Sequence, residues 1–154
     1  MPLAEVENRA GKYVTFQLSR QYYAIRSDRV KQILPMSDVR QVPQSVPFLA
    51  GAVGSNGRLI PVVDLRERLA SEVKPPRPSG SVLVVALNSG CPLTLAGVIA
   101  DKLSEVVNLK ESEIRGNIAQ MRIDGRPYGR PKTVIEVESL LQFEEWARIR
   151  SVLL

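Results

Sequence analysis

The chain of 154 residues contains no histidine and only one cysteine, Cys91. Imidazole is the most common general base near neutral pH and the most common metal ligand, so no Ser-His-Asp or Cys-His catalytic arrangement is possible within this sequence. A single thiol forms no internal disulfide and no multi-thiolate metal site, so we expect a cytoplasmic protein without a cofactor. With no histidine to activate it, Cys91 is expected to be a small apolar residue or a turn thiol rather than a nucleophile.

Long apolar runs are also missing. No window approaches 18 consecutive apolar residues, and the N-terminus lacks the basic-then-apolar pattern of a signal peptide, so neither membrane insertion nor export is expected. Hydrophobic residues make up 44% of the chain and charged residues 24%, which is typical of a globular protein rather than a disordered one.

The residues that are present predict a mostly β protein. Short apolar segments rich in Val and Ile are separated by turn residues, and their number favours a barrel or sandwich. Asn56-Gly57 predicts a tight hairpin because both residues tolerate the positive φ of a type I′ turn, and 88–90 (Asn-Ser-Gly) predicts a second one. The predicted strands are 13–18, 22–25, 30–34, 49–54, 58–63, 82–87, 93–100, 105–109 and 133–137.

Helical patterns occur in two places. Asp64 with Glu67 three residues later matches a capping box, which predicts a short helix that starts at Asp64. Residues 138–154 carry Trp146 and further apolar residues at helical spacing, which predicts a longer helix. An isolated helix of this length is marginal in water, so we expect Trp146 to pack on its own domain.

No catalytic constellation emerges from the motifs. Gly51, Gly54 and Gly57 recur every third residue, which matches neither the dinucleotide fingerprint nor the phosphate-binding loop. Glu111 and Glu113 form no readable carboxylate pair and are expected to be solvated loop residues. We therefore predict that the protein is not an enzyme.

Basic residues are concentrated between residues 115 and 132. This segment holds five basic residues and one acidic residue, Asp124, together with Tyr128. Two interpretations follow: a basic small barrel that binds single-stranded nucleic acid, or a solvated basic loop that meets an acidic protein. Aromatic residues make up only 5% of the chain, which favours the second interpretation and leaves nucleic-acid binding as the alternative function.

The centre of the chain carries a specific motif. Residues 43–69 read PQSVPFLAGAVGSNGRLIPVVDLRERL, with IPVVDLR at 60–66. This motif closely resembles the signature region of the CheW-like chemotaxis adaptors. Further segments look like other elements of that family in the same order, so that the resemblance covers residues 12–142; these segments are 13–18, 23–25, 30–34, 96–107 and 133–141.

The resemblance implies an all-β fold of two five-stranded SH3-like barrels packed on a shared core, with short helices and a C-terminal helix. We divide the chain into an N-terminal extension (1–11), a CheW-like domain (12–142) with a Pro-rich connection at 74–80, and a helical tail (143–154). The implied function is that of a non-catalytic adaptor, which couples the cytoplasmic tips of chemoreceptors (methyl-accepting chemotaxis proteins) to the regulatory domain of a CheA-type histidine kinase. Neither nucleic-acid binding nor direct membrane insertion is implied.

The resemblance also implies a set of partner-binding positions, for which core packing or turn geometry is an equally good explanation. Gln32 stands where the family has Glu, and Asn56 stands where it has Arg, so each departure removes a charge that is able to pair across an interface. We therefore predict a divergent adaptor with its own partners. The predicted partner-binding residues are the six that match the family, Val30, Ile33, Gly51, Gly57, Val82 and Gly97, and the two departures, Gln32 and Asn56.

Overall fold

The apolar segments pair into two main sheets in a computed structural model, which describes residues 8–43, 46–69 and 80–153. All nine predicted strands are present, although the last one ends at Val134 instead of Val137. Four two-residue strands also lie between residues 114 and 127, where the sequence predicted a loop. The predicted all-β fold class is confirmed.

The described strands in chain order are β1 (Gly11–Leu18), β2 (Gln21–Arg26), β3 (Val30–Pro35), β4 (Leu49–Ser55), β5 (Arg58–Val63), β6 (Ser81–Ala86), β7 (Leu95–Ala100), β8 (Lys102–Leu109), β9 (Ile114–Arg115), β10 (Ile118–Ala119), β11 (Arg122–Ile123), β12 (Arg126–Pro127) and β13 (Lys132–Val134). The described α-helices are α1 (Arg66–Leu69) and α2 (Phe143–Leu153). Short 3-10 helices lie at Ser27–Arg29, Met36–Asp38, Glu111–Glu113 and Val137–Ser139.

The two sheets are interlocked by the path of the chain. One sheet has six strands in the order β8-β1-β2-β13-β10-β9, the other has five in the order β3-β6-β7-β5-β4, and β11 and β12 form a separate hairpin. The chain starts in the six-stranded sheet, builds the whole five-stranded sheet, and then returns to complete the first. The two units of the expected architecture therefore contain five and six strands. One continuous stretch, from β3 to β7, forms the five-stranded sheet, whereas the six-stranded sheet combines strands from both ends of the chain.

An apolar core lies between the two sheets. Alternation along β1 directs Phe16 and Leu18 into this core, where they belong to one cluster with Val62 and Val82 of the five-stranded sheet. Trp146 of α2 belongs to the same cluster and is 1% exposed. The shared core expected from the resemblance is thus formed by side chains of both sheets and of the C-terminal helix.

The helices differ in extent from their predictions. Asp64 does mark the start of α1, since its carboxylate accepts a hydrogen bond of 3.1 Å from the backbone N–H of Arg66. The C-terminal helix begins at Phe143, later than predicted, because residues 137–139 form a 3-10 turn. Its buried Trp146 donates an indole hydrogen bond of 3.0 Å to the carbonyl oxygen of Glu138, so the expected packing of Trp146 on its own domain is confirmed. Neither described helix has the length and apolarity required to cross a membrane.

One of the two predicted hairpin turns has the expected form. Asn56 and Gly57 have φ values of 51° and 74°, as a type I′ turn between β4 and β5 requires. β6 and β7 also pair as an antiparallel hairpin, as predicted, and residues 87–94 connect them, a longer connection than the turn predicted at 88–90. Pro92 has no N–H to donate to a ladder, which lengthens this connection. The predicted Pro-rich connection at 74–80 lies outside the described residues, except for Gly80.

Gly97 allows the central strands of the five-stranded sheet to pack closely. A Cβ atom at this position would lie 2.6 Å from Cγ1 of Val82 and 3.2 Å from Cγ2 of Val62. Real Cβ atoms do not approach carbon that closely, so a larger residue forces these two buried side chains to move.

We predict that Gly97→Ala lowers the free energy of unfolding by about 1–3 kcal/mol, because the added methyl group overpacks a buried contact. Urea unfolding followed by circular dichroism measures the change. The matched control is Gly54→Ala, whose Cβ would meet nothing within 4 Å and which we expect to stay within about 0.5 kcal/mol of the parent. Equal stability of the two variants would show that the contact at Gly97 is not restrictive.

Candidate partner-binding surface

The two edge strands of the five-stranded sheet, β3 and β4, approach each other across a seam. The hydroxyl group of Ser55 donates a hydrogen bond of 2.8 Å to Oε1 of Gln32. Farther along, Arg40 and Ala52 exchange two backbone hydrogen bonds of 2.8 Å each. The tip of the β4–β5 hairpin therefore lies against β3. We call the residues of these two segments that are at least partly exposed the seam surface: Gln32, Ile33, Ser55, Asn56, Gly57 and Leu59.

The seam surface combines apolar and uncharged polar groups. Ile33 is 47% exposed, and Leu59 is also exposed, on the strand that follows the turn. Lys31 and Arg58 flank these residues and donate hydrogen bonds to a backbone carbonyl and a threonine hydroxyl, respectively. Exposed apolar side chains with a polar rim are typical of protein–protein contact surfaces.

The two departures from the family pattern share this surface. Gln32 binds Ser55, and Ser55 is the neighbour of Asn56 in the turn. A glutamate at position 32 and an arginine at position 56 would place two opposite charges here, whereas the two amides carry no charge and retain both donors and acceptors. The net charge contributed by these two positions is therefore zero in both cases.

Three of the predicted partner-binding residues lie inside the protein. Val82 and Gly97 are buried in the centre of the five-stranded sheet, and Gly51 is buried beneath the seam. A Cβ atom at Gly51 would lie 2.5 Å from the carbonyl oxygen of Arg40, so this glycine permits the pairing of the two edges. We leave these three residues out of the seam surface because they present no atoms to a partner. Val30 is half-buried at the start of β3, opposite Val85.

A groove lies between the six-stranded sheet and α1. It encloses about 320 Å³ and is lined in part by Tyr13, Arg26, Val134 and Leu69. The guanidinium group of Arg26 lies 5.8 Å from the centre of the Tyr13 ring, within the range of a cation–π contact. The groove thus offers a cationic group, which is supported by the buried Tyr13 ring, to side chains of a partner.

Two buried charged residues were not recognised from the sequence. The guanidinium group of Arg66 contacts both carboxylate oxygens of Asp64, at 2.9 and 2.6 Å. Glu113 is buried and accepts hydrogen bonds of 2.8 Å from the backbone N–H groups of Lys110 and Arg122. The expectation that Glu113 is solvated was wrong, because these backbone donors replace water. Only the Asp-Leu-Arg motif hinted at Arg66, and nothing in the sequence pattern indicated Glu113.

Cys91 lies half-buried in the connection between β6 and β7. Burial raises the pKa of the Cys91 thiol, a hydrogen bond with the Leu93 backbone lowers it by less, and the charge of Glu138 raises it further. The protonated, weakly nucleophilic form therefore dominates near neutral pH. Among residues 8–43, 46–69 and 80–153, no group of three Cys, Asp or Glu side chains is placed to hold a metal ion.

The fold and the seam surface define a β module with two sheets on one core and an exposed surface where the edges of the five-stranded sheet meet. Residues 12–145 match the family model of the CheW-like domain, and the chain belongs to this family. The chemotaxis protein CheW of Klebsiella aerogenes is 25% identical over 163 aligned positions, which cover 97% of this chain and 96% of that protein. The chemotaxis protein CheW of Bacillus subtilis is 28% identical over 103 residues, which cover 67% of this chain and 64% of that protein.

A solved structure shows the same fold. The scaffolding protein TtCheW from Thermoanaerobacter tengcongensis superposes with a TM-score of 0.69 at 21% sequence identity. The superposition covers 85% of this chain and 92% of that chain, so it includes most of both sheets.

The raised pKa of Cys91 predicts slow alkylation near neutral pH. We expect the rate with iodoacetamide to keep increasing above about pH 8.5, the ordinary pKa of a cysteine thiol, since the thiolate is the reacting form. Intact-mass spectrometry follows the reaction without ambiguity because the chain has one cysteine. N-acetylcysteine serves as the control, and a plateau for Cys91 at a lower pH than for this small thiol would contradict the prediction.

Proposed function

We propose that the protein is a non-catalytic adaptor of a bacterial chemosensory pathway, which couples chemoreceptors to a CheA-type histidine kinase. The observation that carries this proposal is the match of residues 12–145 to the CheW-like domain. The relatives that share it are named chemotaxis proteins, and the related solved structure is named a scaffolding protein. Because the chain contains no histidine, the phosphorylated histidine of such a pathway has to belong to another protein.

The seam surface supports contact with the regulatory domain of the kinase. Ile33 and Leu59 supply apolar area that a partner can cover, and the amides of Gln32 and Asn56 supply hydrogen bonds around it. A partner that carries a charge opposite these amides would leave that charge unpaired on association, which disfavours binding. We therefore propose a kinase domain that is itself uncharged at the facing positions, in keeping with a divergent adaptor.

The groove supports contact with a receptor. Its volume of about 320 Å³ is smaller than the roughly 420 Å³ that one turn of an α-helix occupies as a cylinder about 10 Å wide and about 5.4 Å long. It therefore accommodates a few side chains from a helical receptor tip rather than a whole helix. Arg26 lines one side and offers its guanidinium group to those side chains, while the buried Tyr13 ring beneath it helps to hold that group in place.

The alternative function, binding of single-stranded nucleic acid, is less well supported. Stacking of bases requires several exposed aromatic rings beside the basic residues. Of the described residues between 115 and 132, Tyr128 is the single exposed aromatic side chain. We therefore keep the adaptor function as the proposal.

We predict that Ile33→Glu weakens binding to the regulatory domain of a CheA-type kinase from the same organism by at least about tenfold. The carboxylate would have to lose water on association, and a tenfold loss corresponds to about 1.4 kcal/mol. Isothermal titration calorimetry measures both affinities. The matched control is Val106→Glu, which replaces another exposed apolar residue on an edge strand, β8, and should change the affinity by less than about twofold.

The same titration tests both the role of the seam surface and the adaptor function itself. Thermal unfolding of each variant first shows that it is folded, since both side chains are exposed, at 47% for Ile33 and 61% for Val106. An equal loss of affinity in the two variants would remove the seam surface from the proposal. If the parent chain binds neither a kinase regulatory domain nor a receptor tip from its organism, the adaptor function itself is refuted.

A further inference from the structure

The positive charge of the chain is concentrated in one short segment. Residues 115–132 contain five basic residues and one acidic residue, which leaves 16 basic and 15 acidic residues in the rest of the chain. Four of these five basic side chains are exposed, and Lys132 is buried. The four ion pairs found among the described residues all lie outside this segment. The charge of these arginines is therefore not balanced within the described part of the protein.

The segment is a rigid pair of hairpins instead of the predicted loop. β9 pairs with β10 and β11 with β12, and the second turn has φ values of 52° at Asp124 and 76° at Gly125. The buried carboxylate of Glu113 accepts a hydrogen bond from the backbone N–H of Arg122 at 2.8 Å. The side-chain amide of Gln120 donates to three backbone carbonyl groups at the base of the hairpin, at 3.0 to 3.2 Å. Such fixing reduces the conformational entropy lost when a partner binds.

Apolar side chains are exposed between the arginines. Ile123 is 55% exposed and Tyr128 is 54% exposed, and Ile118 on β10 is also exposed. We call this area the basic hairpin surface, which consists of Arg115, Ile118, Arg122, Ile123, Arg126 and Tyr128. Arg130 packs instead over the Tyr22 ring of β2, with its guanidinium group 5.4 Å from the ring centre. A phosphate backbone offers nothing apolar to an isoleucine, whereas a protein segment supplies both carboxylates and apolar groups.

We propose that the basic hairpin surface binds an acidic segment of a partner protein. Its Asp or Glu carboxylates pair with the exposed arginines, and its apolar side chains cover Ile123 and Tyr128. The surface lies at the β9 edge of the six-stranded sheet and on the β11–β12 hairpin, whereas the seam surface belongs to the five-stranded sheet. It is thus a docking site in addition to those of the adaptor function and does not depend on them.

A synthetic peptide tests this proposal. The probe is a fluorescein-labelled amphipathic helix of about 18 residues, with Glu on one face and Leu on the other. Fluorescence anisotropy with the full chain should show saturable binding that weakens, without disappearing, between about 50 and 200 mM salt, because the apolar contact is not screened. Ile123→Ser should weaken binding about threefold without changing the salt dependence, since it removes only apolar contact.

The charge of the surface is tested by a double variant with a matched control. Arg115→Glu combined with Arg126→Glu should weaken peptide binding by at least about tenfold, because it turns attraction into repulsion at two exposed positions. Lys12→Glu combined with Lys102→Glu makes the same change in net charge on β1 and β8, at the opposite edge of the same sheet, and should alter affinity by less than about threefold. Equal weakening in both pairs would mean that binding follows net charge alone, and the proposal would be wrong.

A nucleic-acid probe tests the competing interpretation, in which the basic hairpin surface binds single-stranded nucleic acid. If labelled oligo(dT) of about 15 nucleotides binds more tightly than the peptide, with the steep salt dependence of phosphate contacts, the surface is a nucleic-acid site and the proposal is overturned. Failure of the folded parent chain to bind the peptide overturns it as well. Binding to the kinase regulatory domain is titrated separately, and the Arg115→Glu, Arg126→Glu variant should retain it. A negative result here is thus distinguishable from a failure of the adaptor function.

Discussion

The apolar core between the two sheets is the interaction on which the rest of the structure depends. Phe16 of β1, Val62 of β5 and Trp146 of α2 all fill this core, so that each element is held in place by the others. Burial of a large side chain contributes about 1.5–3 kcal/mol, and the sum over such a cluster outweighs any single polar contact. Gly97 permits the tight spacing of the central strands. The core therefore fixes the positions of the seam surface, the groove and the basic hairpin surface.

Two of the three surfaces that we assign to partners, the seam surface and the basic hairpin surface, lie at sheet edges, where backbone groups and side chains are least constrained by neighbours. The edges of the five-stranded sheet meet at Gln32 and Ser55, and the β9 edge of the other sheet carries the basic hairpins. An exposed edge is an aggregation hazard unless it is charged, covered or used for binding. In this protein one edge region is neutral and partly apolar, and the other is rich in arginine. The two regions therefore select different partners.

The long strands could be predicted because Val and Ile alternate or cluster over enough residues to show a period, and Asn56-Gly57 marked its turn directly. The strands between 114 and 127 contain two residues each, too few for a period, although Asp124-Gly125 carries the same turn signal. Ile33 and Asn56 were predicted as partner-binding residues from the resemblance to the family. The residues that lie next to them in space were not predicted from the sequence. The contact between β3 and the hairpin tip and the burial of Glu113 both depend on how the edges of the sheets approach each other.

The path of the chain has a consequence for synthesis on the ribosome. Val14 in β1 pairs with Val106 in β8, and Ala24 in β2 pairs in parallel with Val134 in β13. The β1–β2 hairpin therefore pairs with β8 and β13 only after most of the chain has been translated. A two-stranded hairpin alone is marginally stable in water, and pairing over such separations is slow. The five-stranded sheet is complete earlier in translation, so it is the natural template on which the nascent N-terminus is finally captured.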